Sequence, residues 1–176
     1  MRKSSKIDST VRERLDSVHM DLYDQPGHLL RRAHQISLAM FEMHVGPHVT
    51  PREFAVLRMV HEQPGIDQVG LAGLIGVDTS STALTAAKLA ERGLLTRTVS
   101  AVDRRLLSLT ITKNGEKLLE QTVVGVHKMR EQLLSSLPEN DREPFLSMLR
   151  QFVRVNNQES RAPIKTPRQK GKRDKE

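Results

Sequence analysis

Residues 78–115 read as a short helix running directly into a hairpin, and no other stretch restricts the fold as tightly. Asp78 or Thr79 can cap the helix and Gly93 can end it. On a 3.6-residue wheel Val77, Thr82, Thr85, Ala86 and Leu89 face a core. Thr79, Ser80, Ser81, Ala83, Leu84, Ala87 and Lys88 face outward. Residues 95–99 and 107–111 then alternate as half-buried strands do, with Asp103, Arg104 and Arg105 on the turn between them. A helix narrow enough for a groove, followed by a cationic tip, predicts a winged helix built to meet duplex DNA.

The flanking segments supply the rest of the domain. From Pro26 the apolar residues Leu29, Ala33, Ile36, Met40 and Met43 recur at helical spacing. Leu30, His34, Ser37 and Phe41 form a second face, and Gly46-Pro47 ends the helix. Thr50-Pro51-Arg52-Glu53 is a capping box, followed by a buried stripe of Phe54, Leu57 and Val60 or His61. After Pro64-Gly65, Asp67 caps a short helix with Leu71, Leu74 and Ile75, closed by Gly76. Thr112 opens a long helix whose Leu119, Val123, Val126, Leu133 and Leu137 turn inward until Pro138. A last helix places Phe145, Leu149, Phe152 and Val153 in register, and a cap at Asn140 or Asp141 keeps Pro144 near its first turn. The fold class is therefore mainly α with a small β-hairpin.

Composition excludes more than it selects. With no cysteine, disulfides, thiolate metal sites and cysteine-based peroxide sensing are ruled out, and a reducing cytoplasm is the expected setting. No apolar run approaches the roughly 20 residues of a membrane span, and no secretory signal follows the N-terminal charges. Of the net charge of +7, five lie in residues 161–176, which hold seven Lys or Arg against two acids. That Pro-, Lys- and Gln-rich tail should be disordered, adding salt-screened attraction to phosphate but no sequence preference.

The specific signal lies in the helix and the hairpin. Hydroxyls and free N–H groups at a helix N-terminus suit phosphates or base edges. Ala83 and Leu84 suit thymine methyls, and Lys88 a phosphate. A guanidinium at the hairpin tip can enter a narrow minor groove, with Asp103 pinning Arg105 in an extended pose.

Four motifs then fall in one order: T-P-x-E-F-x-V-L at 50–57, L-A-x-x-I-G-V-D at 71–78, L-x-x-R-G-L-L at 89–95, and D-R-R with L-x-I-T-x-x-G at 103–115. Over roughly residues 24–156 the chain resembles the MarR family of transcriptional regulators. The resemblance implies a winged helix-turn-helix lobe (about 50–111) and a helical dimerisation region (about 26–45 and 112–156). Residues 1–22 are then a polar N-terminal extension and 157–176 the basic tail. It further implies a homodimer reading an inverted-repeat operator, most commonly as a repressor. Leu84 stands where many members carry arginine, which implies fewer guanine contacts.

Family members commonly bind a small aromatic, anionic effector in a crevice beside the DNA lobe, and differential binding shifts the protein off DNA. The polar groups this implies here are Tyr23, His28, Arg31, Arg32 and His34, with an arginine holding the carboxylate bidentately. The run Y-D-Q-P-G-H-L-L-R-R-A-H-Q at 23–35 is similar to the branch that represses degradation of aromatic or pyridine carboxylates.

Competing classes lack their usual residues. There is no Gly-rich phosphate loop, nucleophile elbow or cysteine nucleophile for an enzyme, so no catalytic residue and no cofactor are assigned. One Tyr, four Phe and no Trp leave few platforms for single-stranded nucleic acid. A pure protein-interaction module on the long helices is a third rival. His44 and His48, with Glu42 nearby, have i,i+4 spacing, but Gly46-Pro47 separates them, so no metal site is assigned. Within the fold, a zinc-responsive regulator and a ligand-independent DNA-binding protein are the alternatives.

Overall fold

A computed structural model describes residues 21–100 and 104–165. Six α-helices run in the order α1 (Pro26–Val45), α2 (Pro51–Glu62), α3 (Gln68–Ile75), α4 (Thr79–Glu91), α5 (Lys113–Ser135) and α6 (Glu139–Val155). The strands β1 (Ile66–Asp67), β2 (Leu95–Val99) and β3 (Leu107–Ile111) form an antiparallel sheet in the order β1-β3-β2. Single 3-10 turns cover Leu22–Asp24 and Asn157–Glu159. The chain divides into a unit ending at Ala39, within α1, and a second from Met40 onward.

In the second unit the core is one cluster. Val56, Leu57 and Val60 of α2 meet Leu71 of α3, Ala86 and Leu89 of α4, Leu109 of β3 and Leu119 of α5. Val60 is the buried member of the α2 stripe, while His61 is exposed. Phe54 is only partly buried, its ring 6.4 Å from that of Phe41.

Capping sets the helix starts. The Thr50 hydroxyl accepts from Glu53 N–H (3.2 Å) and the Glu53 carboxylate accepts from Thr50 N–H (2.8 Å), completing the predicted box. Asp67 takes the N–H groups of Val69 and Gly70, both at 2.8 Å. Thr112 caps α5 through Gly115 N–H and donates its hydroxyl to the Gly93 carbonyl at 2.7 Å. Gly115 is where α5 presses on the start of β2, since a Cβ there would collide with the Leu94 carbonyl.

Four details differ from the expectations. The wing has a third strand, because Ile66 and Asp67 pair with Leu109 and Ser108; two residues carry no periodicity to read. Only Leu95 of β2 is buried, and the other four residues of the strand are exposed. Helix α6 starts at Glu139 behind Pro138, which offers no side-chain cap, so Pro144 lies inside it rather than at its first turn. Residues 157–165, expected to open a disordered tail, hold a 3-10 turn and a hydrogen bond from Lys165 N–H to the Gly73 carbonyl of α3 (2.7 Å). Residues 1–20, and so most of the N-terminal extension, lie outside the described residues, as do 166–176.

Candidate nucleic-acid interface

Gly76, at φ 65°, turns the chain from α3 into α4, a backbone setting that costs glycine little. Asp78 caps α4, its carboxylate accepting from Ser81 N–H at 2.8 Å. Thr82 and Thr85 are buried, and their hydroxyls donate to the carbonyls of Asp78 (2.9 Å) and Ser81 (2.8 Å). Those two threonines therefore face the core, as the wheel predicts, with Ala86 and Leu89. Val77 is half-buried.

The opposite face is the candidate surface. Thr79, Ser80, Leu84 and Lys88 are exposed, while Ser81, Ala83 and Ala87 are half-buried. Leu84 is 58% exposed, an apolar side chain presented to solvent on the same face as Ser80 and Lys88. One expectation needs correction. The N-terminus of α4 is not an open set of donors, because Asp78 occupies the Ser81 N–H with an anionic carboxylate. Hydrogen bonds from the Ser81 backbone and then its hydroxyl hold Asp78 below the usual carboxylate range, with a smaller pull from Arg52. The groups left able to meet an anion are the hydroxyls, the N–H groups of the first turn ahead of Ser81, and nearby cations.

The wing supplies cations. Arg104 and Arg105 are exposed on the turn before β3, and Asp103 lies outside the described residues, so its pairing with Arg105 does too. Arg97, paired in register with Leu109, is also exposed. Sequence reasoning passed over Arg97 as a strand residue and Arg52 as part of a capping box. Their basic side chains were visible, but their exposure and their neighbours were not. Arg92 was missed as well, though its role is internal. It donates to Glu53 (3.0 Å) and to the His48 carbonyl (2.7 Å), tying the end of α4 to the start of α2.

In the first unit, four of the five candidate ligand residues come together. The Tyr23 and His28 rings meet edge to face at 5.7 Å, and His28 Nδ1 lies 3.5 Å from Arg31 Nη2. Arg31 and Arg32 both donate to Gln35 Oε1, at 3.1 and 3.0 Å. Gln35 was not anticipated, since an amide carries no charge to flag it. Among the described residues no carboxylate pairs with either guanidinium. His34 is exposed and stands apart from this network. The His44 ring hydrogen-bonds Gln132, and among the described residues no group of three His, Cys, Asp or Glu could hold a metal.

A capped helix with an outward polar and apolar face, set beside a cationic hairpin, defines a winged helix-turn-helix protein. Residues 49–107 match the profile of the MarR family. Over 134 residues the chain is 29% identical to the transcriptional regulator HosA of Escherichia coli O157:H7, covering 76% of this chain and 98% of that one. It is 30% identical to CouR of Rhodococcus jostii, a transcriptional repressor solved on a 23-mer DNA duplex, with a TM-score of 0.71 and 75% and 94% of the two chains covered. BpsR of Bordetella bronchiseptica, whose DNA binding is regulated by 6-hydroxynicotinic acid, is 26% identical with a TM-score of 0.72 over 76% and 96%. The chain belongs to the MarR family of transcriptional regulators.

Proposed function

We propose that the chain is a homodimeric repressor that reads an inverted-repeat operator and leaves it when a small aromatic or heteroaromatic carboxylate binds. The observation that carries this reading is the outward face of α4. Thr79, Ser80, Leu84 and Lys88 are exposed together, in the same lobe as Arg104 and Arg105. Hydroxyls and Lys88 position the helix on phosphate, Leu84 reads thymine methyls, and an arginine of the wing enters the flanking minor groove.

The dimer is supported by apolar surface that one chain leaves uncovered. Leu29, Ile36 and Met43 of α1 and Met148, Phe152 and Val153 of α6 are all exposed. Patches of this kind mark interaction surfaces. Two lobes on one axis would present their α4 helices to half-sites about one DNA turn apart.

The effector reading rests on Arg31 and Arg32, which share an uncharged partner and so have capacity for an incoming carboxylate. Tyr23 and His28 beside them suit an aromatic ring. BpsR makes hydroxynicotinate-type acids the first class to try. Binding of purified protein to DNA upstream of its own gene, with and without benzoate-type and hydroxynicotinate-type acids, tests both parts. Operator binding relieved by one acid is the expected result. Binding that no acid changes leaves a ligand-independent regulator, and no binding to duplex DNA removes the reading.

A further inference from the structure

The segment after α6 folds back as a strap and seats on the helix-turn-helix of its own chain. Pro163 has no N–H to continue a helix and disfavours the helical region for Ala162, so the chain runs on irregularly after its 3-10 turn. Asn157, half-buried, grips Ile164 at both backbone groups. Its Oδ1 accepts from Ile164 N–H at 2.8 Å and its Nδ2 donates to the Ile164 carbonyl at 3.0 Å. Ser160 Oγ accepts from Ala162 N–H at 3.2 Å inside the loop so closed. Lys165 then donates its N–H to the Gly73 carbonyl of α3 at 2.7 Å.

Two glycines form the seat. A Cβ on Gly73 would lie 3.1–3.2 Å from the aliphatic stem of Lys165, and one on Gly76 would lie 2.9 Å from Ile164 Cγ1. Glycine inside a helix is unfavourable, yet Gly73 is buried there, and the Lys165 stem occupies the space a side chain would take. A groove lined by Ile75, Phe152, Val153 and Ile164 runs between the end of α6 and the same turn. One end of the strap is thus fixed just past α6, and the other on the α3–α4 turn, where Gly76 stands two residues before the Asp78 cap.

We propose that the strap is a brace that fixes the α3–α4 turn against the end of α6, and so holds the two reading helices of a dimer at the spacing an operator requires. The inference rests on the DNA-binding and dimer reading above. There α6 carries an apolar face for a second copy, and α4 carries the reading face. A lobe free to swing must lose that freedom when both half-sites are engaged, whereas a braced lobe has lost it beforehand. The brace therefore favours the operator over a duplex without paired half-sites.

The chain has no cysteine, so one engineered pair reports on the seat. A Cβ at position 73 lies 3.2 Å from Lys165 Cβ, a few tenths of an ångström inside the roughly 3.5–4.5 Å that a disulfide spans. Gly73→Cys/Lys165→Cys is expected to close within one chain under mild oxidant, with loss of both free thiols. Fluorescence anisotropy on an operator duplex and a scrambled duplex then compares the full chain, the oxidised and reduced pair, and Asn157→Ala/Ile164→Ala, which frees the strap and keeps every charge. The oxidised pair is expected to bind the operator at least as tightly as its reduced form. The release variant, melting as cooperatively as the full chain, is expected to lose about fivefold on the operator and nothing on the scrambled duplex. Adding the cysteine pair to the release variant and oxidising it should recover most of that loss. Thiols that stay free, or that join two chains, overturn the seat. A closed pair that no longer binds the operator while its reduced form does overturns the brace, and this comparison decides even if the release variant folds poorly. A folded release variant that matches the full chain, or that closure does not rescue, overturns it too. A full chain that binds neither duplex while its disulfide forms fails the DNA-binding reading and leaves the seat standing.

Discussion

Arg105 shows what single residues decide here. It is exposed on the wing turn, and in the proposed complex its guanidinium enters the most negative part of a narrow minor groove. Arg105→Ala is expected to weaken operator binding by about 1–3 kcal/mol. Equal affinity in an anisotropy titration would remove its groove role. Asp78 acts on the other side of the interface, through stability. Its carboxyl sits below the ordinary range because Ser81 hydrogen-bonds the ionised form. The unfolded chain then binds the proton more readily than the folded one, so the contribution is present above the unfolded value near 3.9 and is lost as pH falls through the lower folded value. Denaturant midpoints of the wild type and Asp78→Asn should therefore differ at pH 7 and converge on acidification below about pH 4. A constant difference across that range would show that charge is not the source. Asp78 as a cap was readable from its place before a helical run. That it shuts one donor off from phosphate was not, because only the folded turn brings Ser81 N–H to its carboxylate.

Among the elements, α6 carries the clearest local conflict. Pro144 lies at its sixth position, where it removes one main-chain donor and crowds the preceding turn. Pro144→Ala should raise thermal stability by about 1–3 kcal/mol and increase helicity in circular dichroism. A loss of stability would mean that the proline-shaped α6 is needed for packing against a partner. The reading of α2, α3 and α5 from sequence succeeded because Thr50, Asp67 and Thr112 are local signals that act within three residues. It failed for the start of α6, where a proline stands in the cap position and no side chain announces it. The wing shows the same boundary. Both long strands end where the alternation ends, but β1 exists only because Leu109 presents a free edge to Ile66.

At the scale of the whole molecule the apolar faces matter most. Phe145, Met148, Leu149 and Phe152 are exposed on one stretch of α6, next to an open cavity of about 440 Å³ lined by Leu149, Val153 and Ile164. Met148→Glu should shift the protein toward monomer in sedimentation velocity at micromolar concentration. It should cost at least about tenfold in operator affinity, because two half-sites are then no longer bound as one unit. A variant that remains dimeric would move the interface elsewhere. Sequence by itself determined the order of the six helices and the two long strands, the two faces of α4 and the arginines of the wing turn. Each follows from spacing, capping or turn chemistry within a few residues. Tertiary structure alone decided that Arg92 ties α4 to α2, that Arg31 and Arg32 share Gln35, and that the chain after α6 seats on Gly73 and Gly76. The contacts of Arg92 and of the strap join residues 39 to 92 positions apart. Those at Gln35 depend on which way two long side chains turn, and neither distance nor direction is written in a local pattern.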